Sequence, residues 1–467
     1  MRLINISGGS GVGKTTIATL CRYLLDDSTH VCGDDLHKWE RGDKNWEIFT
    51  HLNPEANNLD LGRNQILQLF SGKEVNRDVY DHNTGKFIKG VSFKPSKTII
   101  NEGLHALHDE VLNNLSDLNI FVDTDEGLKI EWKVNRDTQK RGYTRSQVIE
   151  SIKKRKQDET NFIDPQKEKA DVILKFLERK NEEVDLDHTF LTKRGESFIK
   201  KLKSLYTKHK GFLTACKKLS FEHDLVQSLG GNVSYKFGDT MIITSSGKSM
   251  RDVSMLSGYT VCNLKKYIAV PDSERDYDKL MQSSKIITEH LRPSMESGLH
   301  AKVMDSCVIH THPIHVNTIL CSKQAKELLP QILNDVDYDF IEYTTPGSEL
   351  FMKFKDNNKV ILLENHGLIC SAENMAEAFE KSYRINKAFK MWLIKHSLVF
   401  KSFSDGDKSE QSGYLFPDAV ALEDKMSEVH DYILQLQREV GLTPNFLSNK
   451  DVDKIKNMES EKYRSRL

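Results

Sequence analysis

Residues 8–15 read GGSGVGKT, which matches the pattern G-x-x-x-x-G-K-[ST]. An apolar run at residues 3–6 precedes this stretch, and a helical pattern over residues 15–25 follows it. Glycines without a Cβ atom let successive backbone N–H groups converge on phosphate oxygens, and the start of the helix adds positive potential. The sequence therefore predicts a nucleoside triphosphate site. The residues expected to bind it are Gly8, Gly9, Ser10, Gly11, Val12, Gly13, Lys14, Thr15 and Thr16.

The chain has 467 residues, which is more than one hydrophobic core usually organises, so we expect two or three domains. Hydrophobic residues make up 38% and charged residues 29%, which is typical of a globular protein. The formal net charge of -1 creates no global field toward nucleic acid or a membrane, so neither is an expected partner. No signal-peptide pattern opens the chain and seven scattered cysteines form no C-x-x-C pair, so we expect a cytoplasmic protein with reduced thiols.

Short β-type runs alternate with charged helical stretches, which predicts an α/β fold class. Charge becomes dense and periodicity weakens over residues 176–201, which indicates a linker or an edge element. Glycine-punctuated β-type runs then follow a helical pattern, again typical of mixed α/β structure. We predict domains over residues 1–186 and 187–401. A helical extension over residues 402–467, with an apolar stripe at helical spacing, is expected to pack on the second domain.

Polar residues downstream of the glycine-rich loop supply the chemistry of phosphoryl transfer. Asp34 follows a short apolar run, and His37 and Arg41 come three and seven residues later, a spacing that can bring all three to one acceptor pocket. Glu102 ends an apolar strand. Phosphoryl transfer requires metal charge and a carboxylate near the attacking hydroxyl, so Asp34 is the predicted catalytic base. An Asx turn or a helix cap is the structural alternative for Asp34.

Together, these motifs resemble the phosphoribulokinase and uridine kinase family, specifically its bacterial phosphoribulokinase branch, across about residues 1–175. The resemblance implies a P-loop kinase domain with a mostly parallel sheet, which uses ATP and Mg²⁺ and has Lys14 and Asp34 as catalytic residues. It implies that the Mg²⁺ site is formed by Thr15, Glu102 and Asp137. It also implies that a sugar or sugar-phosphate acceptor contacts His37, Arg41, His82, Lys133, Arg136 and Arg141. For residues 133–141, a solvated helix face is the alternative.

Three histidines in the second half have the spacing of metal ligands. His310 and His312 stand at positions i and i+2 in VIHTHP, so both imidazoles lie on one face if this run is a strand. His366 follows another β-type run in LLENHG. Three imidazoles with one open coordination position describe a catalytic zinc site. Hydrogen-bonded histidines of the core are the alternative.

Three fragments precede these histidines: GGNVS at residues 230–234, ITSSGK at 243–248 and RPSME at 292–296. In this order they resemble the class II (zinc) aldolase and adducin family over about residues 195–400, and the fragments LFPDAV and ESEKYR near the end of the chain are similar to its longer members. The resemblance implies an α/β/α domain with Glu296 as acid and base, and a homo-oligomer. It implies Zn²⁺ ligands at His310, His312 and His366, and a phosphate-binding set of Asn232, Ser246, Gly247 and Ser294.

The two resemblances imply a bifunctional enzyme. The kinase would phosphorylate a ketose or sugar phosphate with ATP, and the zinc-dependent aldolase would cleave or form a phosphosugar by retro-aldol chemistry. In this chemistry, zinc polarises a carbonyl as a Lewis acid while a carboxylate moves a neighbouring proton. A zinc-dependent sugar-phosphate dehydratase or epimerase is one alternative for the second half. An active kinase joined to a non-catalytic, adducin-like interaction module is another.

Overall fold

The computed structural model describes residues 1–25, 27–179, 184–268, 274–285, 291–355, 358–397 and 413–465. The chain divides into two compact units, Met1–Thr207 and Lys208–Leu467. The division that we predicted between residues 186 and 187 falls within a strand of the first unit, because that charge-dense segment pairs with the sheet.

Strands and α-helices alternate through the first unit. The strands are β1 (Arg2–Gly8), β2 (Ser28–Cys32), β3 (Val75–Asp81), β4 (Lys86–Phe93), β5 (Thr98–Glu102), β6 (Leu118–Thr124), β7 (Val172–Glu178) and β8 (Val184–Leu191). The helices are α1 (Lys14–Leu24), α2 (Asn45–Ile48), α3 (Leu59–Phe70), α4 (Glu110–Leu115), α5 (Glu126–Arg141), α6 (Arg145–Asp158) and α7 (Glu196–Leu219), the last of which continues into the second unit.

The central sheet of the first unit has the strand order β2-β5-β1-β6-β7-β8. Its first five strands are parallel, and β8 joins the edge antiparallel to β7. Every residue of β5 and all but the first of β1 are buried, as expected for strands covered on both faces. This arrangement confirms the predicted α/β fold with a mostly parallel sheet.

The register of this sheet positions the predicted kinase residues. Both Ile6 of β1 and Cys32 of β2 pair with Glu102 at the end of β5. The glycine-rich loop after β1, Asp34 after β2 and Glu102 therefore lie at the same edge, because the carboxyl ends of parallel strands meet there. β3 and β4 form a separate antiparallel hairpin.

The second unit is also mixed α/β. Its strands are β9 (Asn232–Phe237), β10 (Thr240–Thr244), β11 (Tyr259–Asn263), β12 (Cys307–Thr311), β13 (Asp339–Ile341), β14 (Val360–Leu363) and β15 (Gly367–Ala372). Its remaining helices are α8 (Glu274–Ser284), α9 (Ser297–Lys302), α10 (Ile314–Leu320), α11 (Ala325–Ile332), α12 (Ser348–Lys353), α13 (Met375–His396), α14 (Pro417–Ala421), α15 (Glu423–Glu439), α16 (Asn449–Asn457) and α17 (Glu459–Ser465).

The strands of the second unit form one sheet in the order β11-β10-β9-β12-β15-β14-β13. Neighbouring strands are antiparallel except β13 and β14. β12 is central and fully buried, so the segment that carries the H-x-H pattern is held on both sides by β9 and β15.

The C-terminal helices pack against the second unit. Met426, Val429 and Ile433, at helical spacing in α15, are buried together with Ile314 and Cys321. The predicted apolar stripe is thus part of the core. The same core cluster includes Phe416 and Ala419, so α14 lies close to the end of β12. Among the described residues, the search for helices with the length and apolar character of a membrane span finds none.

Candidate functional site

The glycine-rich loop connects β1 to α1. Gly11 and Gly13 have φ angles of +85° and +91°, in the left-handed region that favours glycine. A Cβ atom on Gly13 would lie 2.6 Å from a ring carbon of Phe176. Both backbone conformation and space therefore require glycine here, and the loop presents its N–H groups at the start of an 11-residue helix, as anion binding requires.

Two lysines are held against this loop. Lys14 Nζ donates a hydrogen bond to the carbonyl oxygen of Gly9 at 2.8 Å, and Lys133 Nζ, from α5, donates to Ser10 Oγ at 3.0 Å. Burial lowers the pKa of Lys14, although the carboxylates of Glu102 and Asp34 oppose this effect. Burial and nearby arginines lower the pKa of Lys133 to about 7. Two amines thus lie beside the loop, where they can neutralise the negative charge of a phosphate chain.

Asp34 lies in a short 3₁₀ turn that follows β2. The Nε2 atom of His82 lies 3.0 Å from Asp34 Oδ2, and Arg141 Nη2 donates to His82 Nδ1 at 3.1 Å. Because Arg141 occupies Nδ1, the proton of a neutral His82 lies on Nε2 and is donated to Asp34. Burial favours a raised pKa for Asp34, but the hydrogen bond from His82 and the nearby ammonium of Lys14 oppose it, and the pKa is lowered. The carboxylate is therefore ionised and oriented.

A cavity of about 460 Å³ surrounds Asp34. Most of the predicted acceptor residues line it together with Ser10 of the loop: His37, Arg41, His82, Arg136 and Arg141. The other aromatic and basic side chains of this wall are Trp46, His51, Tyr80, Tyr143, Lys154 and Arg155. The family resemblance includes Lys154 and Arg155 as a basic pair, whereas the sequence assigned no role to the aromatic residues. The cavity thus combines one ionised carboxylate with several guanidinium groups.

Some predicted residues are already engaged within the protein. Arg41 Nη2 donates to the carbonyl oxygen of His82 at 2.6 Å, which fixes Arg41 at the cavity wall. Asp137 lies 2.8 Å from Arg136 Nε and 3.4 Å from Arg141 Nη1, so cations surround its carboxylate. Glu102 Oε2 lies 3.4 Å from His30 Nε2. The assignment of Asp137, Glu102 and the Thr15 hydroxyl to Mg²⁺ stays a prediction.

The second site is a cluster of three buried histidines. His310 lies in β12, His312 directly follows that strand, and His366 lies in the turn between β14 and β15. Their ring centroids are 4.7 to 5.1 Å apart. One nitrogen from each ring lies within 4.8 Å of the other two, so the cluster has the geometry of a metal site.

Hydrogen bonds determine which nitrogens of this cluster face inward. His310 Nδ1 donates to the carbonyl oxygen of Leu368 at 3.1 Å, and His312 Nδ1 donates to Asp418 Oδ2 at 2.7 Å. The Nε2 atoms of His310 and His312 then face each other at 2.8 Å. In two neutral imidazoles these would be opposed lone pairs, which need a cation or proton between them. Three imidazole donors fit a Zn²⁺ site with an open position.

Glu296 lies beside the histidines. Its Oε1 is 3.1 Å from His366 Nε2, its Oε2 is 3.3 Å from His310 Nε2, and Asn232 Nδ2 donates to Oε2. Burial favours a raised pKa for Glu296, but the adjacent imidazoles of His310 and His366 outweigh it and hold the pKa well below its ordinary value. The three imidazoles and one carboxylate thus converge on one small volume.

The predicted phosphate-binding residues Asn232, Ser246, Gly247 and Ser294 line the cavity that also contains Glu296, His312 and His366. Gly247 has a φ angle of +74°, so its turn favours glycine. The amide nitrogen of Glu296 donates to Ser294 Oγ at 3.3 Å, and Asn232 is bound to the Glu296 carboxylate. The structure therefore brings the set together, and its assignment to phosphate stays a prediction.

Three charged residues that the C-terminal helices contribute to this cavity were not predicted. Asp418, Glu461 and Arg464 come from α14 and α17 and complete the cavity wall. The only signal in the sequence was the likeness of the two surrounding fragments to longer members of a family, which assigned them no role.

Comparisons with known proteins match a different family model to each of the two units. A sequence model described as "Phosphoribulokinase / Uridine kinase family" matches residues 3–182. A model described as "Class II Aldolase and Adducin N-terminal domain" matches residues 211–393. Among solved structures, the N-terminal class II aldolase domain of a conserved protein from Thermoplasma acidophilum is 20% identical with a TM-score of 0.36, and the alignment covers 39% of this chain and 92% of that one.

Curated relatives match the first unit. A phosphoribulokinase from Synechocystis sp. is 38% identical over 162 residues, which are 34% of this chain and 49% of that protein. The chain thus spans about half the length of that relative. A uridine kinase from Staphylococcus epidermidis is 34% identical over 152 residues, which are 32% of this chain and 73% of that protein. ATP use fits this family. The chain therefore belongs to the phosphoribulokinase and uridine kinase family through its first unit, and its second unit is similar to the class II aldolase and adducin N-terminal domain.

Proposed function

We propose that the chain is a bifunctional sugar kinase and zinc-dependent aldolase. The first unit would transfer a phosphoryl group from ATP to a ketose or sugar phosphate, and the second would cleave or form a phosphosugar by retro-aldol chemistry. The observation that carries the proposal is that each unit pairs an ionised carboxylate with the binding groups its reaction needs. Asp34 shares a cavity with the glycine-rich loop, and Glu296 adjoins three converging histidines.

In the kinase reaction, the backbone N–H groups of the loop and Lys14 bind the phosphate chain, and bound Mg²⁺ supplies further charge neutralisation. Asp34 accepts the proton of the acceptor hydroxyl as the oxygen attacks phosphorus. His82 holds Oδ2 of Asp34, so Oδ1 is the oxygen left for that hydroxyl. Arg136 and Arg141 line the same cavity and suit an acceptor that already carries a phosphate.

In the lyase reaction, Zn²⁺ held by His310, His312 and His366 supplies Lewis-acid polarisation of a carbonyl. Glu296 exchanges a proton with the substrate carbon or hydroxyl through Oε1, because Asn232 holds Oε2 in place. Burial of the carboxylate excludes bulk water from that proton. Ser246, Gly247 and Ser294 bind the substrate phosphate.

The kinase is tested by incubating the purified full chain with ATP, Mg²⁺ and a panel of ketoses, ketose phosphates and uridine, with ADP as the readout. Replacement of the base, Asp34→Asn, is expected to lower kcat by about 10²- to 10⁴-fold with the best acceptor. Asp78→Asn is the matched control, because the Asp78 carboxylate is 44% exposed and bound to Lys89 on the β3–β4 hairpin. If none of the acceptors in the panel gives ADP, the kinase proposal is contradicted.

The lyase is tested by supplying zinc and candidate phosphosugars and counting the carbons of the products. A triose phosphate together with a shorter aldehyde supports retro-aldol cleavage, and Glu296→Gln should abolish both. A product with an unchanged carbon number would instead indicate dehydration or epimerisation. If the chain keeps its kinase activity but binds no zinc and converts no phosphosugar, the result would favour a non-catalytic interaction module in the second unit.

A further inference from the structure

The C-terminal segment contributes three buried charged side chains to the histidine cluster. Asp418 of α14 is 2% exposed, and Glu461 and Arg464 of α17 are 4% and 8% exposed. All three lie beyond residues 211–393, which the aldolase and adducin domain model matches. The matched domain alone therefore does not supply this part of the site wall.

These side chains form a continuous hydrogen-bonded chain that ends on one of the candidate metal ligands. Asp418 Oδ2 accepts from His312 Nδ1 at 2.7 Å, and its Oδ1 accepts from Arg464 Nη2 at 2.9 Å. Arg464 Nη1 donates to both carboxylate oxygens of Glu461, at 3.0 and 3.1 Å. Arg464 Nη2 also donates to the carbonyl oxygen of Leu229 at 3.3 Å.

Each link in this chain has a physical consequence for the next. A hydrogen bond from Nδ1–H to a carboxylate fixes the tautomer and the ring orientation of a histidine and increases the basicity of its Nε2 atom. A buried carboxylate without a partner is costly, so Arg464, which donates to Oδ1, stabilises Asp418 in this position. Glu461 in turn holds the guanidinium in place, because both of its carboxylate oxygens accept from Nη1 of Arg464.

We propose that Asp418 and Arg464 are positioning residues that hold His312 as a metal ligand, so that metal affinity in the second unit depends on the C-terminal segment. The inference rests on the proposed zinc site. His310 is held differently, because its Nδ1 donates to the backbone carbonyl oxygen of Leu368, whereas the hydrogen-bonded chain Asp418–Arg464–Glu461 ends on His312.

The test measures zinc binding to the metal-free full chain by competition with a chelating dye. Asp418→Asn is expected to weaken zinc affinity by about 10- to 100-fold, as loss of a carboxylate partner does at other zinc sites. Arg464→Lys, which keeps the charge but loses the planar fork, should weaken it in the same direction and less. Asp305→Asn is the matched control: Asp305 is a buried carboxylate of the same unit, bound to Ser371 and Lys359, and its replacement should leave zinc affinity unchanged.

A second readout separates positioning from a structural role. The ligand-field absorption of bound Co²⁺ reports coordination geometry, so it should change in Asp418→Asn if His312 is displaced. A purely structural role would lower the thermal stability of the metal-free variants and leave zinc affinity and the Co²⁺ spectrum intact, and this result would overturn the inference. So would zinc affinity of Asp418→Asn within twofold of the parent chain. Failure of the parent chain itself to bind zinc would reject the proposed metal site instead, and with it the lyase.

Discussion

The buried ion pair between Arg77 and Asp35 gives a quantitative test of how the first unit holds the turn that carries Asp34. Arg77 Nη2 lies 3.4 Å from Asp35 Oδ2, and the two side chains are 2% and 4% exposed. Arg77 also donates to the carbonyl oxygen of Cys32, and Asp35 Oδ1 accepts from the backbone nitrogen of Tyr80. The pair thus joins the β3–β4 hairpin to the turn that carries Asp34.

Arg77→Met should destabilise the first unit by about 3–5 kcal/mol, because it leaves the Asp35 charge buried and unpaired. For a unit of this size, that corresponds to a fall in melting temperature of roughly 6 to 20 °C. The double variant Arg77→Met/Asp35→Asn should recover most of the loss, because the asparagine is uncharged and keeps an oxygen for the Tyr80 N–H. Nε and Nη1 of Arg77 are buried and donate no hydrogen bond to the described residues, so the pair itself contributes little net stability.

The loss should also depend on pH. Burial raises the pKa of Asp35 even beside Arg77, and removal of Arg77 raises it further. A carboxyl whose pKa is higher in the folded state than in the unfolded state binds more protons when folded, so the deficit of Arg77→Met should shrink as the pH falls from about 8 toward about 5.

Tryptophan fluorescence during heating is the appropriate assay, because three of the four tryptophans, Trp39, Trp46 and Trp132, lie in the first unit. The reasoning is refuted if Arg77→Met loses less than about 1 kcal/mol, the minimum expected for an unsatisfied buried group. It is also refuted if the double variant is less stable than Arg77→Met alone, since the second change should relieve the unpaired charge.

Three further predictions concern other parts of the molecule. Gly13→Ala should weaken nucleotide binding, measured by titration calorimetry, far more than Gly72→Ala. Both positions have positive φ angles, but only at Gly13 would a Cβ meet an aromatic ring. Burial lowers the pKa of His209 to about 4, so protonation of this residue should reduce the stability of the second unit as the pH falls from about 6.5 toward 4. His209→Gln should therefore make the free energy of unfolding less dependent on pH, measured by urea unfolding at several pH values. His310→Ala should reduce bound zinc, measured by mass spectrometry of the metal, whereas His315→Ala, at another buried histidine of the same unit, should leave it unchanged.

Local patterns predicted the elements that carry the sites, because they depend on neighbouring residues alone. The alternation of side chains along a strand placed His310 and His312 on one face, and β12 ends at Thr311 with their rings 4.7 Å apart. The glycine spacing of residues 8–15 likewise predicted the strand–loop–helix arrangement, since positive φ angles at Gly11 and Gly13 are local requirements.

Contacts between distant segments could not be predicted in this way. Asp418 follows His312 by 106 residues, and their hydrogen bond depends on how α14 packs after the chain has crossed the sheet. The charge-dense segment after β7 indicated a linker or an edge element, but its weak periodicity did not decide between the two. It forms β8 because an exposed edge strand tolerates charge, so its hydrogen bonds to β7 determine its structure more than its own pattern does.

Two buried carboxylates flank the histidine cluster, and their hydrogen bonds assign them different tasks. Both oxygens of Asp418 are occupied, one by His312 and the other by Arg464, so neither is free to take a proton from a substrate. Glu296 uses Oε2 for Asn232, while its Oε1 accepts no hydrogen bond from the described residues and lies 3.1 Å from Nε2 of the candidate metal ligand His366. Of the two, therefore, Glu296 alone retains an oxygen for proton transfer, which supports its role as the acid and base. Because environment rather than residue type makes this distinction, exchanging aspartate and glutamate at either position should not exchange their roles.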